Sequence, residues 1–277
     1  MYDIISQKLR VIIMNANKVF EKIITMPKYR NVEIPHETIQ SLVEQSMPLS
    51  KNQADLEKRV REKIHNIVAL YLGDIDYEKA TDEFRQIKNE PVTIKEFSKQ
   101  VLAHHASTKE RGQDLEDLYQ ILFKHIGKVN SIADLACGLH PLGLPFMNLP
   151  PSTAYYAYDL HKARVNFLNT FITEQGYGGG CFHQDILTNP PAIKFDVAFF
   201  FKEAHRFEKR QAGIIVDFLE SIQASKLVVS LPSQSFGRNI HMLPKYEKII
   251  IEYADKRKCG LDSFEFGGEM FYIIDRG

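Results

Sequence analysis

"IADLACGLHPLG", residues 132–143, joins a short apolar run carrying one acid to a turn with two glycines, a histidine and a proline. Glycines after a strand often let backbone N–H groups close on a pyrophosphate at a helix N-terminus. The spacing here argues against that. No third glycine completes G-x-G-x-x-G, no Gly-Lys-Ser/Thr ending follows, and Pro141 with Pro145 delays any regular helix. Read alone, the stretch is a strand-to-loop junction, and its neighbours decide what the loop holds.

Those neighbours alternate between helix and strand. Just upstream, "GQDLEDLYQILFKHIG" puts Leu115, Leu118, Tyr119, Leu122, Phe123 and Ile126 on one helical stripe. From there the pattern predicts strands over 131–137, 154–159, 180–184, 195–201 and 226–231, and helices over 162–175, 207–222 and 242–257. "SFEFGGEMFYIIDR" reads as an antiparallel pair turning at Gly267 and Gly268. Five parallel strands with helical crossovers and a terminal hairpin make a doubly wound α/β domain.

The first hundred residues have a different texture. "KNQADLEKRVREKIHNIVALYL" (51–72) places Leu56, Val60, Ile64, Ile67, Val68 and Tyr71 on one face at steps of three and four. Pro35 opens another helix, and Thr93 followed by Glu96 reads as a capping box. The expected organisation is an all-helical N-terminal domain over 1–104 and the α/β domain over 105–277.

Composition bounds the function. The chain has 277 residues, 44% hydrophobic and 25% charged, which describes a globular protein with room for one large domain or two ordinary ones. Apolar runs such as "DVAFFF" and "LVVSLP" are too short to cross a membrane, and the N-terminus carries no signal-peptide pattern, so a cytoplasmic protein is expected. Cys137, Cys181 and Cys259 have neither disulfide-framework nor zinc spacing, so no metal is expected. The net charge of zero leaves any nucleic-acid surface to a local basic patch.

In doubly wound sheets ligands bind beyond the carboxyl ends of the strands. Strand two ends in Asp159, strand three is followed by Asp185, and strand four runs into Lys202. An acid after strand two suits both ribose hydroxyls, and one after strand three suits an adenine amino group. With no Lys or Arg placed for a pyrophosphate, the edge suits S-adenosylmethionine, a nucleoside without phosphates. Each acid alone is more often an N-cap than a ligand, and it is their order along the edge that favours the ligand. The loop after strand one then needs its glycine for close backbone approach to the methionine part.

The chain resembles the aminoglycoside-resistance 16S rRNA methyltransferases that modify N7 of guanine 1405. "LEKRVREKIH" (56–65), "HASTKER" (105–111), "DLACGLHPLGLP" (134–145) and "GGEMFYIIDR" (267–276) carry the resemblance, which covers most of the chain. It implies a class I S-adenosylmethionine-dependent methyltransferase domain. His105, Ala106 and Ser107 would border the cofactor, and Arg111 would clasp its carboxylate. Ala136 and Gly138 would supply close backbone, Asp159 the ribose contact, and Asp185 with Ile186 the adenine contacts. Tyr71, Phe201 and Gln211 would also reach it. Bland alternatives stand beside these: Ser107 or Thr108 as a helix cap, and Arg111 as a surface ion pair.

Guanine N7 already presents a lone pair, so no general base is expected. Lys202, Arg206 and Arg238 are placed against the target RNA, and the helical domain against 16S rRNA in the assembled 30S subunit. Two departures stand out: His140 where the family pattern has Asn, and a short loop "LPSQSFGRN". A small-molecule methyltransferase and a ribosome-binding protein without turnover remain the alternatives.

Overall fold

The computed structural model describes residues 16–26, 33–69, 74–104, 114–232 and 242–277. The chain divides into two compact units, 1–73 with 160–162, and 74–159 with 163–277.

The smaller unit is helical: α1 (16–24), α2 (His36–Ser46) and α3 (Gln53–Val68). Asn52 caps α3 by accepting from Asp55 N at 3.0 Å, as its short polar side chain allows. Val19, Ile23, Leu42, Val43, Leu56, Val60, Ile64 and Ile67 join its core, so the described part of the stripe read from the sequence is buried.

The larger unit opens with α4 (Tyr77–Ile87), α5 (Pro91–His104) and α6 (Leu115–Ile126). The strands follow: β1 (Ser131–Leu135), β2 (Ala154–Asp159), β3 (Gly178–His183), β4 (Phe195–Phe201), β5 (Ala224–Pro232), β6 (Gly260–Phe266) and β7 (Glu269–Asp275). Helices α7 (Lys162–Glu174), α8 (Ala204–Arg210), α9 (Ile214–Ser221) and α10 (Met242–Arg257) connect them. The seven strands run in the order β3-β2-β1-β4-β5-β7-β6. β1 to β5 are parallel and β7 inserts antiparallel between β5 and β6. The order reverses between β1 and β4, which makes their carboxyl ends the switch point where such sheets take ligands.

Central strands covered on both faces read as continuous apolar runs. In β4, Phe199 and Phe201 join the core on one face while Phe200 joins the other, against Phe207 and Phe218. Gly267 and Gly268 adopt φ values of 56° and 73°, the left-handed pair that a two-residue hairpin turn requires.

Three expectations change. Helices α4 and α5 belong with the sheet, so the units divide at Gly73/Asp74 instead of near residue 104. Phe84 of α4 packs 4.8 Å from Phe171 of α7, and Phe97 of α5 packs 6.3 Å from Phe84. The α5 capping box is not formed. The helix starts earlier, at Pro91, and Thr93 Oγ1 donates to Glu90 Oε2 at 3.0 Å. The single helix expected over 207–222 is two, broken where Gly213 takes φ 80°.

Candidate functional site

The β1 loop is clamped onto the end of β2. Cys137 N donates to Tyr158 O at 2.9 Å, and Gly138 N donates to Asp159 Oδ2 at 3.0 Å. Ala136 at φ 52° and Gly138 at φ 55° bring the backbone through the left-handed region. Lys202, just beyond β4, also takes a positive φ, 60°. Left-handed backbone costs a non-glycine residue about 1–2 kcal/mol. Two such residues therefore sit at the two adjacent strand ends of the switch point, a place where strain accompanies function.

The prolines act as expected, and a 3-10 turn over His140–Phe146 replaces a regular helix. The two glycines of the opening stretch do different jobs. Gly138 lets the loop turn toward Asp159, whereas a Cβ on Gly143 would lie 2.0 Å from Tyr119 Oη. Gly143 is there for packing against α6.

Three buried acids line this edge. Asp134 accepts from Tyr155 Oη at 2.7 Å and from His140 Nδ1 at 2.8 Å, so the unusual His140 is a buried partner of the β1 acid. Asp159 accepts at Oδ2 from Gly138 N and from Arg164 Nη1 at 3.2 Å. Asp185 is only 1% exposed, and its two oxygens take a bidentate Arg210 pair at 3.0 and 2.6 Å, with Leu187 N at 3.1 Å on Oδ1. Arg210 thus occupies one acceptor position on each oxygen of the carboxylate expected to meet adenine. Ile186 beside it is buried.

The basic residues beyond β4 are also engaged. Lys202 Nζ lies 3.0 Å from Glu269 Oε2, with Glu269 wholly buried at the start of β7. The Lys202 ammonium expected against RNA thus carries an internal partner. Arg206 pairs with Glu203 one turn before it. Burial pushes the Glu203 carboxyl up to about 7, helped by the charge of Asp159 and opposed by Arg206. Burial together with Arg206 and Lys209 pushes His205 down to about 4. Phe201 stacks on Phe199 at 5.1 Å and meets His140 edge-on at 4.8 Å, as part of the core. Gln211 is exposed at the end of α8. Tyr71, His105, Ala106, Ser107, Arg111 and Arg238 lie outside the described residues.

Arg164, Arg210, Glu203 and Glu269 were not singled out in the sequence. Only proximity to the strand ends pointed to the first and third, and nothing local paired Asp185 with Arg210 or Lys202 with Glu269.

The donor set suits S-adenosylmethionine. A backbone cradle and a buried carboxylate stand at the edge, while Arg164, Arg206 and Arg210 are each bound to carboxylates, an arrangement for a nucleoside rather than a pyrophosphate. Among the described residues no three His, Cys, Asp or Glu side chains are grouped to hold a metal ion. Nor is any described helix long and apolar enough to cross a membrane.

Known proteins share this architecture. The chain is 26% identical over 254 residues to the 16S rRNA (guanine(1405)-N(7))-methyltransferase of Micromonospora rosea, covering 86% of this chain and 89% of that one. It is 27% identical over 270 residues to the protein of the same name from Serratia marcescens, covering 95% and 99%. The 16S rRNA methylase RmtB superposes with a TM-score of 0.75 at 24% identity, over 95% of this chain and 99% of that one, and shows the shared fold. The family described as Ribosomal RNA methyltransferase (FmrO) matches residues 26–273. That span takes in most of the helical unit and nearly all of the sheet, and this chain belongs to the ribosomal RNA methyltransferase (FmrO) family.

Proposed function

We propose that this protein transfers the methyl group of S-adenosylmethionine to N7 of guanine 1405 of 16S rRNA in the assembled 30S subunit, in the cytoplasm, and so confers aminoglycoside resistance. The observation that carries the reading is the carboxyl edge of the sheet, where Gly138 N after β1 and the buried Asp159 at the end of β2 stand together and the arginines Arg164, Arg206 and Arg210 are each neutralised by a carboxylate. The relatives' names, over most of the chain, supply the target.

When bound, S-adenosylmethionine supplies an electrophilic methyl on a sulfonium. Asp159 orients the ribose, the Ala136–Gly138 backbone borders the methionine part, and Ile186 offers an apolar wall to the base. Tyr71, His105, Ala106, Ser107, Arg111, Asp185, Phe201 and Gln211 complete the proposed pocket. No proton needs to leave N7, so catalysis rests on alignment and exclusion of water. Lys202, held by Glu269, would position the guanine together with Arg206 and Arg238.

The helical unit of residues 1–73 is the proposed rRNA-docking segment. On α3, Arg59 pairs with Asp55 at 3.2 Å and Arg61 with Glu57 at 3.8 Å, so RNA phosphates would have to exchange for these exposed intrahelical pairs. Such pairs are weak, about 0.3–0.5 kcal/mol.

The test is methyl transfer to 30S subunits, naked 16S rRNA and mixed metabolites, followed by reduction and strand cleavage. Cleavage at nucleotide 1405 in the subunit sample is expected. Transfer to metabolites alone, or cleavage elsewhere, would refute the assignment.

A further inference from the structure

We propose that Arg164 is a positioning residue for S-adenosylmethionine, fixing Asp159 for the ribose through a buried brace completed by Asp74 and Tyr77. The proposal rests on the reading of this edge as the cofactor site.

The brace lies within the larger unit. Arg164, in the first turn of α7, is 3% exposed. It donates from Nη1 to Asp159 Oδ2 at 3.2 Å, from Nη2 to Asp74 Oδ2 at 2.6 Å, and from Nε to Tyr77 Oη at 2.9 Å. Tyr77 Oη in turn donates to Asp74 Oδ2 at 2.7 Å, and burial holds that phenol protonated. The guanidinium is gripped along three directions, two of them from the segment that enters α4.

A largely buried Asp–Arg–Asp arrangement is a poor device for stability alone, because apolar residues of similar volume often replace such ion clusters without loss. Its geometry suits orientation instead. Asp159 Oδ2 is held from two sides, by Gly138 N and by Arg164 Nη1, so the carboxylate plane is fixed before the ligand arrives. A vicinal diol donates two nearly parallel hydrogen bonds, and a carboxylate free to rotate would lose entropy on meeting them. Arg164 also borders the loop itself, since a Cβ on Gly138 would lie 4.0 Å from its Nη1. The ribose acid and the methionine loop thus share one brace.

The effect should appear in cofactor affinity and not in chemistry at saturation. The full chain carrying Arg164→Gln, Arg164→Lys or Asp74→Asn is titrated with S-adenosylmethionine by calorimetry, and methyl transfer to 30S subunits is measured across cofactor concentrations. Arg276→Lys serves as the control for general loosening. Arg276 is a braced arginine at the opposite sheet edge, where its N donates to Ser225 O at 2.8 Å and its guanidinium reaches Ile222 O and Tyr253 Oη.

Arg164→Gln should raise both Kd and KM for the cofactor about tenfold or more, with kcat at saturation within about twofold of the parent. Asp74→Asn keeps the Arg164 charge while loosening its grip, and should raise Kd about threefold or more. Arg164→Lys should fall between the parent and Arg164→Gln. If Arg164→Gln does not fold, Asp74→Asn and Arg164→Lys decide. Parental affinity in the folded Arg164 and Asp74 variants overturns the brace alone, as does an equal rise in Kd for Arg276→Lys. A parent that binds no S-adenosylmethionine overturns the reading of the site, and the brace with it.

Discussion

Asp159 and Glu203 occupy the same edge under opposite conditions. Asp159 is buried against a guanidinium and a backbone N–H, whereas Glu203 is partly buried near that acid with Arg206 as its counter-charge. Asp159→Ala removes two hydrogen bonds expected from a ribose, each worth about 1.5–3 kcal/mol when one partner is charged, so S-adenosylmethionine affinity should fall about a hundredfold or more in calorimetry. Parental affinity would exclude Asp159 from the site. For Glu203, the shift from 4.5 to about 7 means the folded chain keeps a proton that the unfolded chain releases, so its contribution to stability is lost as pH rises through that window. His205 moves the other way, from 6.5 to about 4. The unfolded chain takes up a proton that the folded one refuses, and stability is lost as pH falls through that range. The two slopes oppose each other between about pH 4.5 and 6.5. Urea denaturation at pH 5, 6, 7 and 8 should show Glu203→Gln gaining on the parent as pH rises, and His205→Gln gaining as pH falls. Profiles parallel to the parent would rule out both burial effects.

At the scale of elements, the joint between α8 and α9 follows one side chain. Glu208 accepts from Gly213 N at 3.1 Å through Oε2 and from Ile215 N at 3.4 Å through Oε1, satisfying N–H groups at the start of α9. Glu208→Ala should cost about 1 kcal/mol. Gly213→Ala should cost about 1–2 kcal/mol from its φ of 80° alone, since a Cβ there would meet no atom within 4 Å. Strand β3 is less forgiving. A Cβ on Gly179, at φ 92°, would lie 2.4 Å from Tyr155 O on the neighbouring strand. The contact is with backbone and cannot swing aside, so Gly179→Ala should lose several kcal/mol and fail to accumulate as soluble protein. Thermal melts of the three variants test this ranking, and a Gly179→Ala melt close to that of Gly213→Ala would contradict it.

For the whole molecule, the division at Gly73/Asp74 sets where the chain can be cut. Removing residues 1–73 should leave a folded, cofactor-binding unit whose methyl transfer to 30S subunits is lost, because α4 and α5 still cover Phe167 and Phe171. Removing residues 1–104 strips that cover from two rings now fully buried, each worth about 1.5–3 kcal/mol, and takes Phe84 and Phe97 with it. Against a typical total of about 5–15 kcal/mol, the longer truncation should unfold or aggregate. Circular dichroism and calorimetry separate the two. A folded, active 105–277 fragment would return the boundary to residue 104.

The sequence by itself determined the sheet. The runs "DVAFFF" and "LVVSLP" are apolar without alternation because their strands are covered on both faces, and Gly267-Gly268 specifies the hairpin through backbone freedom that only glycine has. It also determined the strand-end acids, since strand ends are local features. Only the tertiary structure decided which charges those acids and their neighbours meet. Asp185 takes Arg210, Lys202 takes Glu269, and Arg164 joins Asp159 to Asp74, each pairing set by how distant segments fold onto one edge. The unit boundary was decided the same way: an amphipathic stripe shows that a helix buries one face, and packing alone determines which core receives it.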